Sequence, residues 1–339
     1  RKAKLKTYKR LFGIRVITPR PMIWYAPTFA NVKLGLYDRI MADSPEPKRR
    51  ALAELRVIGK RLSKMLGSIL PLPDQAVLDS YHGFKKLKMQ YGRERYYVTG
   101  ITKRSSRLEL FSKGELLLKK GVPRCILFRS REYCFALAKY TKAIEHRVYE
   151  ISGDGFHFPR GRFIAKGLSP RERGKYIFQK FLDLGCAISI DASRFDHHCR
   201  KGLLKIEHEV MNRCFRSQEL KRLLRAQLKN HIKSSTGPEV IVEGGRMSGD
   251  MNTAIGNVIL AICMVSYSLS QLGVKWDMFC DGDDVLVFCT PSNQVLVSTT
   301  LKSKFADCGH KLKIENIAYT MEDIQFCQAK PVRLGNTYV

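Results

Sequence analysis

The chain has 339 residues, 44% of them hydrophobic, and carries 60 Lys/Arg against 31 Asp/Glu, a net charge of +29. That length and apolar share permit a large core or two to three subdomains, and they exclude a chain disordered throughout. The charge is lopsided: residues 1–170 hold 37 Lys/Arg and 13 Asp/Glu, a balance of +24, while residues 171–339 hold 23 and 18, a balance of +5.

Residues 1–50 are basic, and prolines at 19, 21, 27, 45 and 47 oppose long helices. Arg49 to Leu70 reads as an amphipathic helix, with Leu52, Leu55, Ile58, Leu62, Leu66 and Leu70 at helical spacing. Tyr81-His-Gly-Phe-Lys-Lys and Tyr91-Gly92 form a basic-aromatic stretch suited to base stacking or to burial. Residues 119–162 mix Lys/Arg with strand-like pairs such as Cys125-Ile-Leu-Phe128, and 131–150 read as a helix. Leu184 to Ile190 is expected to be a buried strand, with Asp191-Ala-Ser-Arg-Phe-Asp196 at its end. Lys201 to Lys229 is expected to be one helical stretch ending near Asn230-His231.

Gly244 to Asn257 is a glycine-rich loop running into an apolar helix. Met251 to Val274 lacks any charged residue and is long enough to span a bilayer, but its Asn, Thr, Ser and Gln content favours a buried helix. Pro291 opens a helix to about Asp307, Gly309 ends it, and Lys311 to Ile314 resume a strand. Ten cysteines lie scattered without a Cys-x-x-Cys pair, and His197-His198-Cys199 has no second half, so a reducing compartment is the simpler reading.

Three stretches carry chemistry. Asp281-Gly282-Asp283-Asp284 lies between two short β-prone runs, and Asp-Gly there signals a tight hairpin that lifts Asp283 and Asp284 to its tip. Adjacent like charges at a tip are costly unless a cation compensates them, and hard oxygen ligands suit Mg²⁺ or Mn²⁺. Alone, such a turn is equally an ordinary solvated one. Asp191 at the end of a second strand strengthens the signal, although it could instead cap the following turn. Two divalent ions about 3.5–4 Å apart clamp the attacking and leaving oxygens of a phosphoryl displacement. The glycine loop offers free N–H groups at a helix start to a phosphate, and Thr253 and Asn257, four apart, share one helical face.

In order, these stretches resemble motifs A, B and C of RNA-dependent RNA polymerases from positive-strand RNA viruses. The wording Asp-Ala-Ser-Arg-Phe-Asp-His-His, Gly-Arg-Met-Ser-Gly-Asp-Met-Asn-Thr with Gly-Asn, and Gly-Asp-Asp is most similar to the tombusvirus-like group. Lys113, Glu115, Pro123-Arg124, Arg129-Ser130, Tyr133 and Tyr140 resemble motif F and its lead-in, and Ile164 to Gly167 resembles the segment before motif A. Lys311 to Glu315 is similar to the end of motif D, and Phe326-Cys327-Gln328 with Pro331-Val332 to motif E. The likeness spans roughly residues 81 to 333.

The resemblance implies an α/β (α+β) right-hand polymerase: a basic fingers region over 1–183, a palm with a small antiparallel sheet over 184–316, and a motif E hairpin with the start of a thumb over 317–339. Residues 200–243 are expected to return toward the fingers. By the same resemblance Asp191 and Asp283, with Asp284 near them, ligate two Mg²⁺ or Mn²⁺ ions. Asp196 and Asn257 surround the ribose 2′-hydroxyl, Ser248 and Thr253 complete that pocket, and Gly249 lets the loop move. Arg124 and Arg129 are expected to bind the triphosphate; Lys113, Lys120, Arg246, Cys327 and Gln328 to contact RNA; and Lys313, or its neighbour Lys311, to act as general acid. The implied partners are template and product RNA, ribonucleoside triphosphates and a viral accessory replication protein, in the host cytoplasm, with membrane attachment through regions outside this chain. Only eleven residues follow Gln328 and the first residue is Arg1, so the expectation is a piece of a longer product, lacking most of a thumb and weak in synthesis alone.

A two-metal nuclease needs no Asp196/Asn257 pair, a reverse transcriptase typically has an aromatic and a variable residue where Gly282 precedes the aspartates, and a non-catalytic RNA-binding protein leaves the ordered acids without a role. Primer extension on RNA with ribonucleotides against deoxynucleotides in Mg²⁺ separates all of these.

Overall fold

A four-stranded antiparallel sheet lies at the centre of the computed structural model, which describes residues 5–8, 22–25, 28–113, 116–117, 121–234, 239–335 and 337–339. Its strands run in the order Trp276–Asp281, Asp284–Cys289, Cys186–Ala192, Leu312–Ala318. The first three are largely apolar between their ends because both faces of the sheet are covered there and successive side chains enter opposite cores, whereas the edge strand Leu312–Ala318 exposes Lys313 and Glu315. Ile188, Ile190, Val285 and Val287 pack into the larger core, while Ala187, Phe279, Leu286 and Phe288 face the smaller one.

The larger core is filled by the helix Thr253–Leu269, in which every residue from Ile255 to Leu269 is buried. A helix apolar on all sides must be enclosed, which is the reading its polar residues favoured over a membrane span. No helix among the described residues is long and apolar enough to cross a membrane. The smaller core is closed by the helix Pro170–Leu184, which starts at a Ser169/Glu172 capping box with Pro170 in its first turn and stops at Gly185, φ 76°.

A second sheet, ordered Val240–Glu243, Lys229–Ser234, Leu108–Ser112, Cys125–Phe128, joins two distant parts of the chain. The strand Lys229–Ser234 reaches the N-terminal half here, through the parallel pairing of Leu108–Leu110 with Ile232–Ser234. The expected single helix over Lys201–Lys229 is two, Lys201–Phe215 and Gln218–Ala226, broken where Arg216 adopts φ 50° and Ser217 caps the second. Lys229 and Asn230 then belong to a strand whose polar residues alternate out and in. The helix from Arg49 ends at Leu66, because Gly67 takes φ 71° and Pro71 follows. The helix expected from Pro291 begins with one 3₁₀ turn and continues as Gln294–Asp307, with Gly309 at φ 77° just beyond.

Candidate active site

Gly282 at φ 75° and Asp283 form the two-residue turn between Trp276–Asp281 and Asp284–Cys289, so the expected hairpin forms. Its central pair is Gly-Asp and not Asp-Gly, with Asp281 and Asp284 as the paired strand residues beside it. Val285 lies opposite Ile190, which brings Asp284 and Asp191 to the same end of adjacent strands. On the other side of Asp191 lies Lys313, its registered partner. Asp191 is thus the sixth residue of its strand, not a cap beyond it.

Crowding raises the proton affinity of all three acids. Loss of hydration pushes Asp283 up to about 6, helped by the like charges of Asp196, Asp284 and Asp191. Desolvation also raises Asp284, with Asp281, Asp191 and Glu315 adding to it and a hydrogen bond from Cys327 opposing it. Asp191 is raised by desolvation and Glu315, against the pull of Lys313. Such a group relieves its repulsion by taking up a proton or a cation.

Among the described residues no three ligating side chains form a preassembled metal cage. Mg²⁺ is ordinarily held by one or two carboxylates together with waters and substrate phosphates, not by an all-protein cage. The donor set of hard carboxylate oxygens, solvent-accessible at the hairpin tip, therefore fits such ions, with Asp191, Asp283 and Asp284 the side chains that would hold them.

After Asp191 the chain turns through Arg194, φ 52°, into a short helix that carries Asp196. Asn257 Nδ2 donates to Asp196 Oδ1 at 2.9 Å, whereas Asn257 Oδ1 is buried and finds no partner in the protein. Thr253 Oγ1 donates to the Met247 carbonyl at 3.0 Å, and the exposed Ser248 donates to the Cys125 carbonyl at 3.3 Å. Gly249 differs from expectation. Its N–H donates to the Leu127 carbonyl at 2.8 Å, and a Cβ there would lie 2.2 Å from that oxygen. The glycine permits close backbone approach and docks the loop, where freedom to move was expected.

A cleft of about 470 Å³ joins these parts, lined by Asp191, Asp196 and Asp283 and by Lys113, Arg124, Arg39 and Arg194. Ser248 lines it as well. Asp284, Lys313, Gly249, Thr253, Asn257, Cys327 and Gln328 do not, although Asn257 reaches it through Asp196. Cys327 and Gln328, at φ 50° and 61°, occupy a tight turn closed by Phe326 and Ala329. Lys120 and Glu115 lie outside the described residues.

Two arginines need correction. Arg129, expected at the triphosphate, has a fully enclosed guanidinium bonded to Asp250 at 2.7 and 3.2 Å, to Asn230 at 2.6 Å and to the Ser106 carbonyl at 2.5 Å. Arg246, expected at RNA, borders the cleft but gives its Nη2 to the wholly buried Glu207 at 2.6 Å. Glu207 also accepts from Asn252 at 2.7 Å, and Asn252 exchanges hydrogen bonds with Gln227 at 2.8 and 3.1 Å. Both arginines hold the glycine loop from beneath. Conversely, sequence reasoning missed Arg39 and Arg194. Arg194 stands inside the Asp191–Asp196 motif, which was its available signal; Arg39 has none beyond the basic character of its region.

Residues 35–339 match the family described as viral RNA-dependent RNA polymerase. The chain belongs to that family. The RNA-directed RNA polymerase of Panicum mosaic virus is 32% identical over 312 residues, covering 89% of this chain and 31% of the relative. That of Tomato bushy stunt virus is 31% identical over 321 residues, covering 89% and 39%, and that of Oat chlorotic stunt virus 32% over 304 residues, covering 83% and 40%. The tombusvirus-like resemblance thus holds, and this member of the family has the expected mixed α/β architecture with a small antiparallel sheet. It spans about a third to two-fifths of the length of the curated relatives it matches.

Proposed function

We propose that the chain carries the catalytic centre for template-directed addition of ribonucleoside monophosphates to an RNA 3′ end. The observation that carries this reading is one cleft lined by Asp191 and Asp283 together with Lys113 and Arg124, with Asp196 held by Asn257 at 2.9 Å. A nuclease needs the acids alone. A hydroxyl-reading pair beside them suits an enzyme that selects among nucleotides by their sugar.

When bound, a pair of divalent ions lowers the pKa of the primer 3′-hydroxyl and neutralises charge on the triphosphate. The residues of this chain do the rest. Asp191 and Asp283 seat the ions; Lys113 and Arg124 draw the triphosphate into the cleft; Asp196 and Asn257 hold the ribose 2′-hydroxyl. Ser248 and Thr253 fix the loop edge of that pocket through carbonyl contacts. Lys313, exposed and in register with Asp191 though outside the cleft lining, would protonate the leaving pyrophosphate in this reading, with Lys311 as its neighbour. The basic surface grips RNA, which makes affinity fall steeply with salt. An accessory replication protein and a cytoplasmic, membrane-linked workplace belong to the same proposal.

Primer extension on an RNA template in Mg²⁺ tests the reading, with the segments that flank this chain in its longer relatives included. Ribonucleotide addition that disappears in Asp283→Asn, while RNA binding persists, is expected. Metal-dependent cleavage without addition would favour the nuclease.

A further inference from the structure

Asp281, the first acid of the hairpin, behaves unlike the two that follow it. It lies directly opposite Asp284, and directly opposed residues of an antiparallel pair project on the same face. Like Asp284 it does not border the cleft, but both its oxygens are bonded to cations. Arg173 Nη2 donates to Oδ2 at 2.8 Å and Lys166 Nζ donates to Oδ1. The Asp281 side chain is 13% exposed and the two cations 27% and 29%, so the pairs are shielded well beyond an ordinary surface ion pair.

Both cations come from one segment, residues 162–173, that runs along the hairpin. Ala165 N–H donates to the Cys280 carbonyl at 2.8 Å, and Cys280 N–H to the Phe163 carbonyl at 3.0 Å. Arg173 is fixed in turn: it sits in the first turns of the capped helix, and its Nε donates to the Leu168 carbonyl at 3.3 Å. A single lysine would leave one carboxylate oxygen open; a cation on each oxygen leaves none.

We propose that Lys166 and Arg173 are positioning residues that engage both oxygens of Asp281, brace the aspartate hairpin, and keep Asp281 from acting as a misplaced ligand beside Asp284. This rests on the reading of Asp283 and Asp284 as metal-holding acids. An unpaired carboxylate on the same face as Asp284 offers a divalent ion a second seat, and a displacement of about 1 Å at a reacting centre costs on the order of 10²-fold in rate. The clamp removes that alternative without touching substrate.

The test compares Lys166→Gln/Arg173→Gln with the same double variant carrying Asp281→Asn. Hydrogen exchange of the amides from Cys280 to Val285 is read in the metal-free protein, and primer extension in Mg²⁺. The double variant is expected to exchange faster in the hairpin and to extend on the order of 10²-fold more slowly. Adding Asp281→Asn, which removes the stranded charge, is expected to recover most of both losses. A triple variant as slow as the double would overturn the proposal, because the cations would then act on RNA or triphosphate directly. Unchanged hairpin exchange in the double variant would overturn it too. Should the double variant not fold, Arg173→Gln against Arg173→Gln/Asp281→Asn makes the same comparison. Failure of the metal reading shows separately, as an Asp283→Asn variant that keeps its rate.

Discussion

Asn257 and Asp196, 61 positions apart, meet at 2.9 Å and tie the buried helix to the turn that follows the Asp191 strand. The contact uses the amide nitrogen of Asn257 and leaves its Oδ1 without a protein partner. A buried acceptor left unsatisfied is costly until a hydroxyl reaches it, and a site built for a hydroxyl penalises its absence.

Asn257→Ala should therefore lower the preference for ribonucleotides over deoxynucleotides by about ten-fold, some 1.4 kcal/mol of discrimination. The measurement is kcat/KM for each sugar in single-nucleotide addition. Equal slowing of both would reassign Asn257 to support of Asp196 alone.

Asp283→Asn should abolish nucleotide addition and at the same time stabilise the metal-free protein at neutral pH. The sign follows from linkage: Asp283 sits at about 6 in the folded chain against 3.8 as an isolated group, so the folded state holds the proton longer. Stability contributed by this group is present below pH 4 and is lost as pH rises toward 6. The asparagine does not titrate, so thermal midpoints of the two proteins should coincide below pH 4, diverge between pH 4 and 6, and stay a constant distance apart above pH 6. After allowance for solvent screening at the exposed tip, the gap is on the order of 1 kcal/mol. A midpoint lowered at pH 7 contradicts it.

Much of this site was legible because its signals are local. Asp-Gly between β-prone runs fixes the turn at Gly282, and the four-residue spacing of Thr253 and Asn257 fixes a shared helical direction. Arg129 and Arg246 were misread for the opposite reason. An arginine's default is the surface, and their partners Asp250 and Glu207 lie 121 and 39 positions away, visible only after folding. The strand Lys229–Ser234 escaped notice because its inward residues at 230 and 234 are Asn and Ser, with only Ile232 apolar. Asn230 earns its interior place by accepting from Arg129 and donating to the Gln227 and Gly244 carbonyls.

The two motif F arginines should accordingly part company. Arg129→Ala strands the Asp250 carboxylate in the interior and should cost about 3–5 kcal/mol of stability, as removal of one partner from a buried pair does. Arg124, exposed in the cleft wall, should act chiefly on substrate when changed to Gln: a higher KM for nucleotide, with a thermal midpoint lowered far less than in Arg129→Ala. Thermal unfolding and steady-state kinetics on both variants decide this. An Arg129→Ala protein with wild-type stability would contradict the buried network.

Gly249→Ala probes whether the glycine loop is docked or mobile. The added methyl would sit 2.2 Å from the Leu127 carbonyl oxygen and 2.9 Å from its carbon, and neither backbone atom can swing aside as a side chain would. The Gly249 N–H bond to Leu127 must break, and the loop must lift away from the strand Cys125–Phe128. Overpacking of this kind costs about 1–3 kcal/mol. Because Ser248 and Met247 ride on the same loop and line the cleft, nucleotide KM should rise together with the loss of stability. A loop that served as a free hinge would accept the methyl with its thermal midpoint intact and only its rate altered. A lowered midpoint and a raised KM in the same protein mark a loop whose docking against Leu127 shapes the nucleotide side of the cleft.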